Sequence, residues 1–356
     1  MLLRNLKGFG SCIALLLAGI AVAQADDAAP RDMSKVKIGA TVYAITNSWH
    51  KQMISSLQGA ADTAKKNNLL SDIRILNANG DAQQQASQIS DYILQKVDAI
   101  IVNAASPTAL NGVIAEACAA NIVVVTYDSI ATAPCAYKVA YDWHAHGAAQ
   151  AEYLAKRMNG KGNILHVRGL PGTDVDDNVE KGVEDTLAKY PDIKLISVRG
   201  DWTGSIALKN ISSILPSLPK IDGVITQAEV AAATYQAFTA AGREVPIIVM
   251  AGKRDELELW KSLDKDGKYE TFSESTSPSI GAVALWVAEA ALQGKKVPNI
   301  MYIPFLQITK DDVDEWLKVT PENAIAMPVY GSDWTDAAIA AALAGQPSPP
   351  NPGPGG

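Results

Sequence analysis

The 356-residue chain carries 31 Lys and Arg against 38 Asp and Glu, a formal net charge of -7. An acidic balance is poorly suited to long nucleic-acid contacts, which depend on basic side chains neutralising phosphates. Behind its first segment the chain keeps about 330 residues, more than one core usually fills, which predicts two domains.

Arg4 and Lys7 precede the apolar run Cys12 to Ala23, which ends in Gln24-Ala25-Asp26-Asp27. A basic head, a short apolar middle and a small-residue exit read as a secretory signal, too short to anchor in a bilayer. Cleavage near Ala25 is expected, with the exit after Ala23 nearly as good, and the mature protein is expected outside the cytoplasm. Cys12 stands at the front of the apolar run, which argues against a lipoprotein anchor, and no later segment is apolar for long enough to span a membrane. Removing residues 1–25 takes Arg4 and Lys7 away and moves the formal charge from -7 to -9.

Strand and helix then alternate. Val36 to Tyr43 predicts a strand, Gln52 to Asn67 a helix through Met53, Leu57, Ala60, Ala61 and Ala64, and Ile73 to Leu76 a second strand. A helix over Asp81 to Lys96 leads to Ala99-Ile-Ile-Val102, an unbroken apolar run of the kind buried on both faces of a parallel sheet. Pro107 to Ala120 is helical, Val123 to Tyr127 a strand and Val139 to Tyr141 a shorter one. The rhythm restarts with a helix over Ala145 to Met158 and strands at Asn163 to Val167, Lys194 to Val198, Gly223 to Thr226 and Pro246 to Met250. Helices over Asp176 to Tyr190, Ser205 to Leu218 and Val230 to Ala241 separate those strands. Two such blocks predict an α/β fold of two doubly wound, Rossmann-like lobes, with ligands at the carboxyl ends of the strands.

After Phe272 comes an apolar helix, Ser279 to Gln293, and a strand-like run, Asn299 to Ile308. They can complete the first lobe only if the chain crosses back, so a hinge of several crossings is expected near Tyr141-Asp142, Glu274 to Thr276 and Pro304 to Leu306. The expected division is 36–140 with 276–304 for the N-terminal lobe and 142–274 with 306–344 for the C-terminal lobe, the closing helices being Lys310 to Val319 and Asp333 to Leu343. Residues 345–356, rich in Pro and Gly, read as a disordered tail with no means of packing a core. Cys118 and Cys135 remain after processing. In an oxidising compartment an even pair invites a disulfide, two idle thiols being the other reading; their places at a helix end and just past the next strand favour the bond.

Four landmarks occur in order: Thr46-Asn-Ser-Trp-His50, Val102-Asn-Ala-Ala-Ser-Pro-Thr108, Thr126-Tyr-Asp-Ser129 and Gly169-Leu-Pro-Gly-Thr173. With these, residues 36 to about 309 resemble a type I periplasmic binding protein of the ribose-binding family, the soluble receptors of ABC importers. The resemblance implies a type I periplasmic binding protein fold whose lobes close by hinge bending on a ligand in the cleft. It puts Tyr43, Asn47, Trp49 and His50 at first-lobe ligand positions, Trp49 stacking on the apolar face of a sugar ring. It puts Asn103 on a polar position, Asp128 on the ligand carboxylate with Ser129 beside it, Asp177 where an arginine is usual, Trp202 on the opposite face, and Gln227, Glu229 and Glu274 at polar contacts. An importer permease in the inner membrane is the implied partner of a monomer, with no cofactor and no nucleic acid.

Ser129 and Asp177 stand where ribose- and glucose-type receptors place arginines, and Gly252-Lys-Arg254 lies where an aspartate is expected. The cleft should therefore be electronegative, which suits a polyol, an unusual sugar or an amine-bearing ligand. His144-Ala-His146 points apart on a helix and reads as structural rather than metal-binding. Asp174 and Asp176 read as a helix first-turn cluster. A carboxylate-dependent enzyme is the rival class, although no nucleophile elbow, phosphate loop or dinucleotide fingerprint occurs. A ligand sensor for a membrane receptor is the other alternative.

Overall fold

The structure is a computed structural model and describes residues 31–354. The expected signal segment, residues 1–25, lies outside the described residues. The first block runs β1 (Lys37–Val42), α1 (Ser48–Lys66), β2 (Asp72–Asn77), α2 (Ala82–Leu94), β3 (Ala99–Asn103), α3 (Asn111–Ala119), β4 (Val123–Tyr127) and β5 (Tyr137–Ala140). The second runs α4 (Trp143–Arg157), β6 (Lys161–Arg168), α5 (Asp174–Leu187), β7 (Asp192–Arg199), α6 (Gly204–Ile214), β8 (Gly223–Thr226), α7 (Ala231–Ala240), β9 (Ile247–Ile248), α8 (Arg254–Leu263) and β10 (Ser273–Ser275). Then follow α9 (Ile280–Leu292), β11 (Ile300–Tyr302), β12 (Leu306–Ile308), α10 (Val313–Val319) and α11 (Ser332–Leu343).

β2-β1-β3-β4-β5-β11 form one parallel sheet, and β7-β6-β8-β9 a second. All five residues of β3 are buried because its alternate side chains feed two cores. Ala99 and Ile101 join Met53, Leu57 and Val283 on one face, while Ile100 and Val102 join Ile89 and Ile114 on the other. The second sheet divides likewise, Leu165 and Val167 facing Ile211 and Phe238, Ile164 facing Leu154 and Val183. This period-two sorting puts helices on both faces, which is the doubly wound arrangement. α9 is buried on nearly every side because it is wedged among β3, β4, α1 and α11. Gly281 permits that wedge, since a Cβ there would come 2.6 Å from the Met53 carbonyl oxygen.

Three expectations need correction. Asn299 to Ile308 is not one strand: β11 pairs with β5 and β12 pairs antiparallel with β10, on either side of Pro304. Proline cannot donate to a ladder, so the run breaks where it crosses between sheets. α11 does not close the second lobe. It packs on α9 and β11 of the first, so the chain crosses again after α10, which packs on α8. Nor is the tail without means of packing. Ser348 Oγ donates to the Tyr302 carbonyl (2.6 Å), Asn351 Nδ2 to that of Phe305 (2.8 Å), and Trp334 Nε1 to that of Pro350 (3.0 Å). These bonds need no apolar core, which is why composition alone missed them. Cys118 and Cys135 are joined by a disulfide, their Cα atoms 6.4 Å apart.

Among the described residues no helix is long and apolar enough to cross a membrane.

Candidate ligand-binding site

The carboxyl ends of both sheets face a cavity of about 420 Å³. Its first-lobe wall grows from the turn after β1. Asn47 caps α1, its Oδ1 accepting from His50 N at 3.0 Å. That cap turns His50 inward, where Nε2 lies 2.9 Å from Tyr43 Oη and Nδ1 3.2 Å from Thr46 Oγ1. Burial pushes the His50 pKa down to about 4, so the ring is neutral near pH 7 and acts as a hydrogen-bonding strut for Tyr43. Trp49 packs edge-on to His50 at 5.5 Å and donates from Nε1 to the Thr276 carbonyl at 3.3 Å.

Asp128 follows β4 with a left-handed backbone, φ 59°, and is 7% exposed. Asn103 is not on the cavity wall; fully buried behind it, its Nδ2 donates to Asp128 Oδ2 at 3.1 Å. Burial pushes the Asp128 pKa up to about 7, and the Asn103 amide and Ser129 backbone N–H only partly oppose it. Ser129 is buried beside it, Oγ donating to the Ala104 carbonyl at 2.8 Å.

The opposite wall is made by turns. Gly200, Asp201 and Trp202 follow β7, and both Asp201 and Trp202 are left-handed, at φ 49° and 54°. The indole lies across Gly169, where a Cβ would sit 2.0 Å from Trp202 Nε1. Gln227 Oε1 accepts from Gly169 N (3.1 Å) and Trp202 Nε1 (3.4 Å), fixing the ring. Glu229 reaches across the cleft to the start of α1, accepting from Ser48 Oγ and, at 3.2 Å, from Trp49 N. An acceptor there faces unsatisfied helix N–H groups. Burial raises its pKa, against the hydrogen bond from Ser48 and the charge of Lys253.

Asp177 is misplaced by the sequence reading. It is exposed and off the cavity wall, because α5 turns Val175 and Val179 toward the cleft instead. Asp176 is fully buried, bound by Arg168 Nη2 at 2.7 Å and Arg199 Nη1 at 2.6 Å, and it accepts from Gly169 N at 3.0 Å. Burial would raise its carboxyl, but the two guanidiniums outweigh that and hold it below the usual range. The arginines of this region thus brace the second lobe and do not face the ligand.

Glu274 stands on β10, opposite Gln307 of β12. Oε1 lies 2.8 Å from His146 Nδ1, and Gln307 Nε2 donates to Oε2 at 2.7 Å. His146 also stacks on Phe305 of the crossing, centroids 4.7 Å apart. His146, Trp143 and Asp201 line the cavity without having been singled out as ligand positions. The visible signal was Trp143 and His146 following directly on the Tyr141-Asp142 crossing. His144 instead pairs with Asp185 at 3.0 Å. Of the expected positions, Tyr43, Asn47, Trp49, His50, Asp128, Ser129, Trp202, Gln227, Glu229 and Glu274 meet in this one cavity.

The lining contains four carboxylates, Asp128, Asp201, Glu229 and Glu274, and neither Lys nor Arg. Three indoles, Trp49, Trp143 and Trp202, supply flat apolar faces. Among the described residues no group of three or more His, Cys, Asp or Glu could hold a metal ion.

The family model for the periplasmic binding protein domain matches residues 38–296. The chain belongs to that family. This periplasmic binding protein is similar to the xylitol-binding protein of Mycolicibacterium smegmatis, 33% identical over 302 residues and 83% of each chain. It is also similar to the ribose import binding protein of Bacillus subtilis, 24% identical over 75% of this chain and 85% of that one. Among solved structures, an ABC transporter solute binding protein from Thermobispora bispora superposes with a TM-score of 0.83 at 30% identity, covering 89% of this chain and 99% of that chain. The ribose-binding type of fold, two doubly wound lobes, is the one observed, and the proteins of this family are binding proteins.

Proposed function

We propose that this protein captures a neutral polyhydroxylated ligand, a polyol or sugar, between its lobes in the periplasm and presents it to an ABC importer. One observation carries the reading: a cavity walled by indole faces and carboxylates with neither Lys nor Arg in its lining. Indole faces cover the C–H face of a polyol, while carboxylates accept from its hydroxyls. Anionic ligands such as sugar phosphates or sugar acids would meet like charge there with no Lys or Arg in the lining to receive them. An amine-bearing sugar shares the favourable electrostatics and is the second member of the same class. The xylitol- and ribose-binding relatives support the choice of a five-carbon skeleton.

Binding rather than turnover is the better use of these carboxylates. Both oxygens of Glu274 and both of Glu229 are engaged by hydrogen-bonding protein groups, which suits holding a geometry. A monomer closing about its hinge is the expected form.

Calorimetry with xylitol, ribitol, D-ribose, an amino sugar and ribose 5-phosphate tests this. Saturable binding of a neutral polyol or aldose with no binding of the phosphate is expected; preference for the phosphate overturns the reading. Recovery of unaltered ligand after long incubation, read by NMR, is expected of a receptor, and conversion of the ligand would make it an enzyme.

A further inference from the structure

Asp201 contributes nothing to the internal bonding so far described. It lines the cavity, yet its Oδ1 is buried with no hydrogen-bond partner. The backbone around it is held firmly: Arg168 O accepts from Gly200 N at 2.9 Å and from Asp201 N at 3.1 Å. A buried carboxylate oxygen without a donor is costly, and so is a left-handed backbone at a residue other than glycine. Glycine would relieve both costs at this position, and asparagine would keep the shape without the charge. The turn retains an aspartate beside the Trp202 indole on the ligand-facing wall.

We propose that Asp201 is a specificity-determining acceptor for a ligand hydroxyl distinct from those held at Asp128, so that the ligand must offer a donor to each lobe. The assignment rests on the polyol reading of the cavity. An ionised carboxylate only accepts hydrogen bonds, so its partner is a hydroxyl or an amine, never a carbonyl or phosphate oxygen. Two other residues of the lining, Trp143 and Ser275, likewise bury a polar atom without a partner, the indole N–H and Oγ. Trp143 can only donate and Asp201 only accept. A hydroxyl does both, whereas a keto or deoxy carbon loses the bond to Asp201.

The test uses the full exported chain, five-carbon polyols (xylitol, ribitol, D-arabinitol), and monodeoxy analogues of whichever binds. If the parent binds none of these polyols nor D-ribose, the polyol reading fails and this assignment goes with it. If the parent binds, Asp201→Gly and Asp201→Asn should each weaken binding, Asp201→Gly by about tenfold or more, while melting of the ligand-free protein stays at the parent temperature or rises. One monodeoxy analogue should bind the parent about tenfold more weakly than its polyol and bind the Asp201→Gly protein with no additional loss. Parent-like affinity in both variants overturns the assignment, as does a full additional loss for every deoxy analogue. Should Asp201→Gly fail to fold, Asp201→Asn and the same analogues decide the matter by the same criteria.

Discussion

Asp128 and Asp176 are both buried carboxylates beside the cleft, one in each lobe, and their partners differ. Asp176 has two guanidiniums and a backbone N–H, which together hold its carboxyl below the usual range. Asp128 has only a neutral amide and a backbone N–H, no cation, and burial pushes its pKa up to about 7. A carboxylate matched by the fold serves the fold. One left short of donors is costly to the fold and available to a ligand. The second lobe repeats the contrast within itself, since Asp201 lies a few residues from the Arg168 and Arg199 brace and shares none of it.

The largest expected effect tests the braced side. Asp176→Ala leaves Arg168 and Arg199 without their shared anion and should cost about 3–5 kcal/mol in chemical denaturation. A loss under 1 kcal/mol would mean that the pair is solvated and the contrast empty. Asp128→Ala should do the reverse, leaving stability at or above the parent's while removing about 1.5–3 kcal/mol of ligand affinity, roughly ten- to a hundredfold by calorimetry. Collapse of the fold in that variant would assign Asp128 to structure after all.

Gly169 sharpens the comparison, because its N–H serves Asp176 and Gln227 while its missing Cβ makes room for Trp202. Gly169→Ala should displace the indole and cost about 1–3 kcal/mol, shared between stability and affinity. A variant with parent stability and parent binding would show that the indole has another resting place.

A further effect, spread over several pH units and small within any one of them, is a dependence on pH of opposite sign at the two sites. The raised Asp128 pKa means that the ligand-free fold holds this proton more tightly than the unfolded chain does. Stability from this site therefore falls as pH rises from the ordinary carboxylate range toward about 7, and Asp128→Asn should abolish that slope. Ligand affinity should rise over the same window, by at most about tenfold per pH unit, as the accepting carboxylate ionises. Asp176, with a lowered folded value, contributes stability above the ordinary aspartate range and loses it as pH falls through that lowered value. A flat affinity profile between pH 5 and 8 would remove Asp128 from the contacts.

Much of this was legible before any coordinates. Runs such as Ala99 to Val102 and the helical spacing of Met53, Leu57 and Ala61 determine two wound lobes, and strand-end polar residues mark the cleft. Rotational phase was not legible. One residue of offset on α5 separates buried Asp176 from exposed Asp177, and no local pattern says which faces Arg168. Trp143 and His146 escaped for a similar reason, because their direction is set by where α4 leaves the crossing and not by anything within the helix. Composition failed at the C-terminus, where side-chain bonds from Ser348 and Asn351 hold a segment lacking apolar residues.

Three of the seven tryptophans of the chain border a single cavity. Indole emission responds to polarity and to nearby quenching groups, and Trp49, Trp143 and Trp202 each lie near a carboxylate or an imidazole. Displacing water from that space with a polyol would alter all three surroundings at once. The protein therefore carries a built-in optical reporter of occupancy, and unlabelled samples can be titrated by emission alone. Single Trp→Phe changes would show which wall the ligand reaches first.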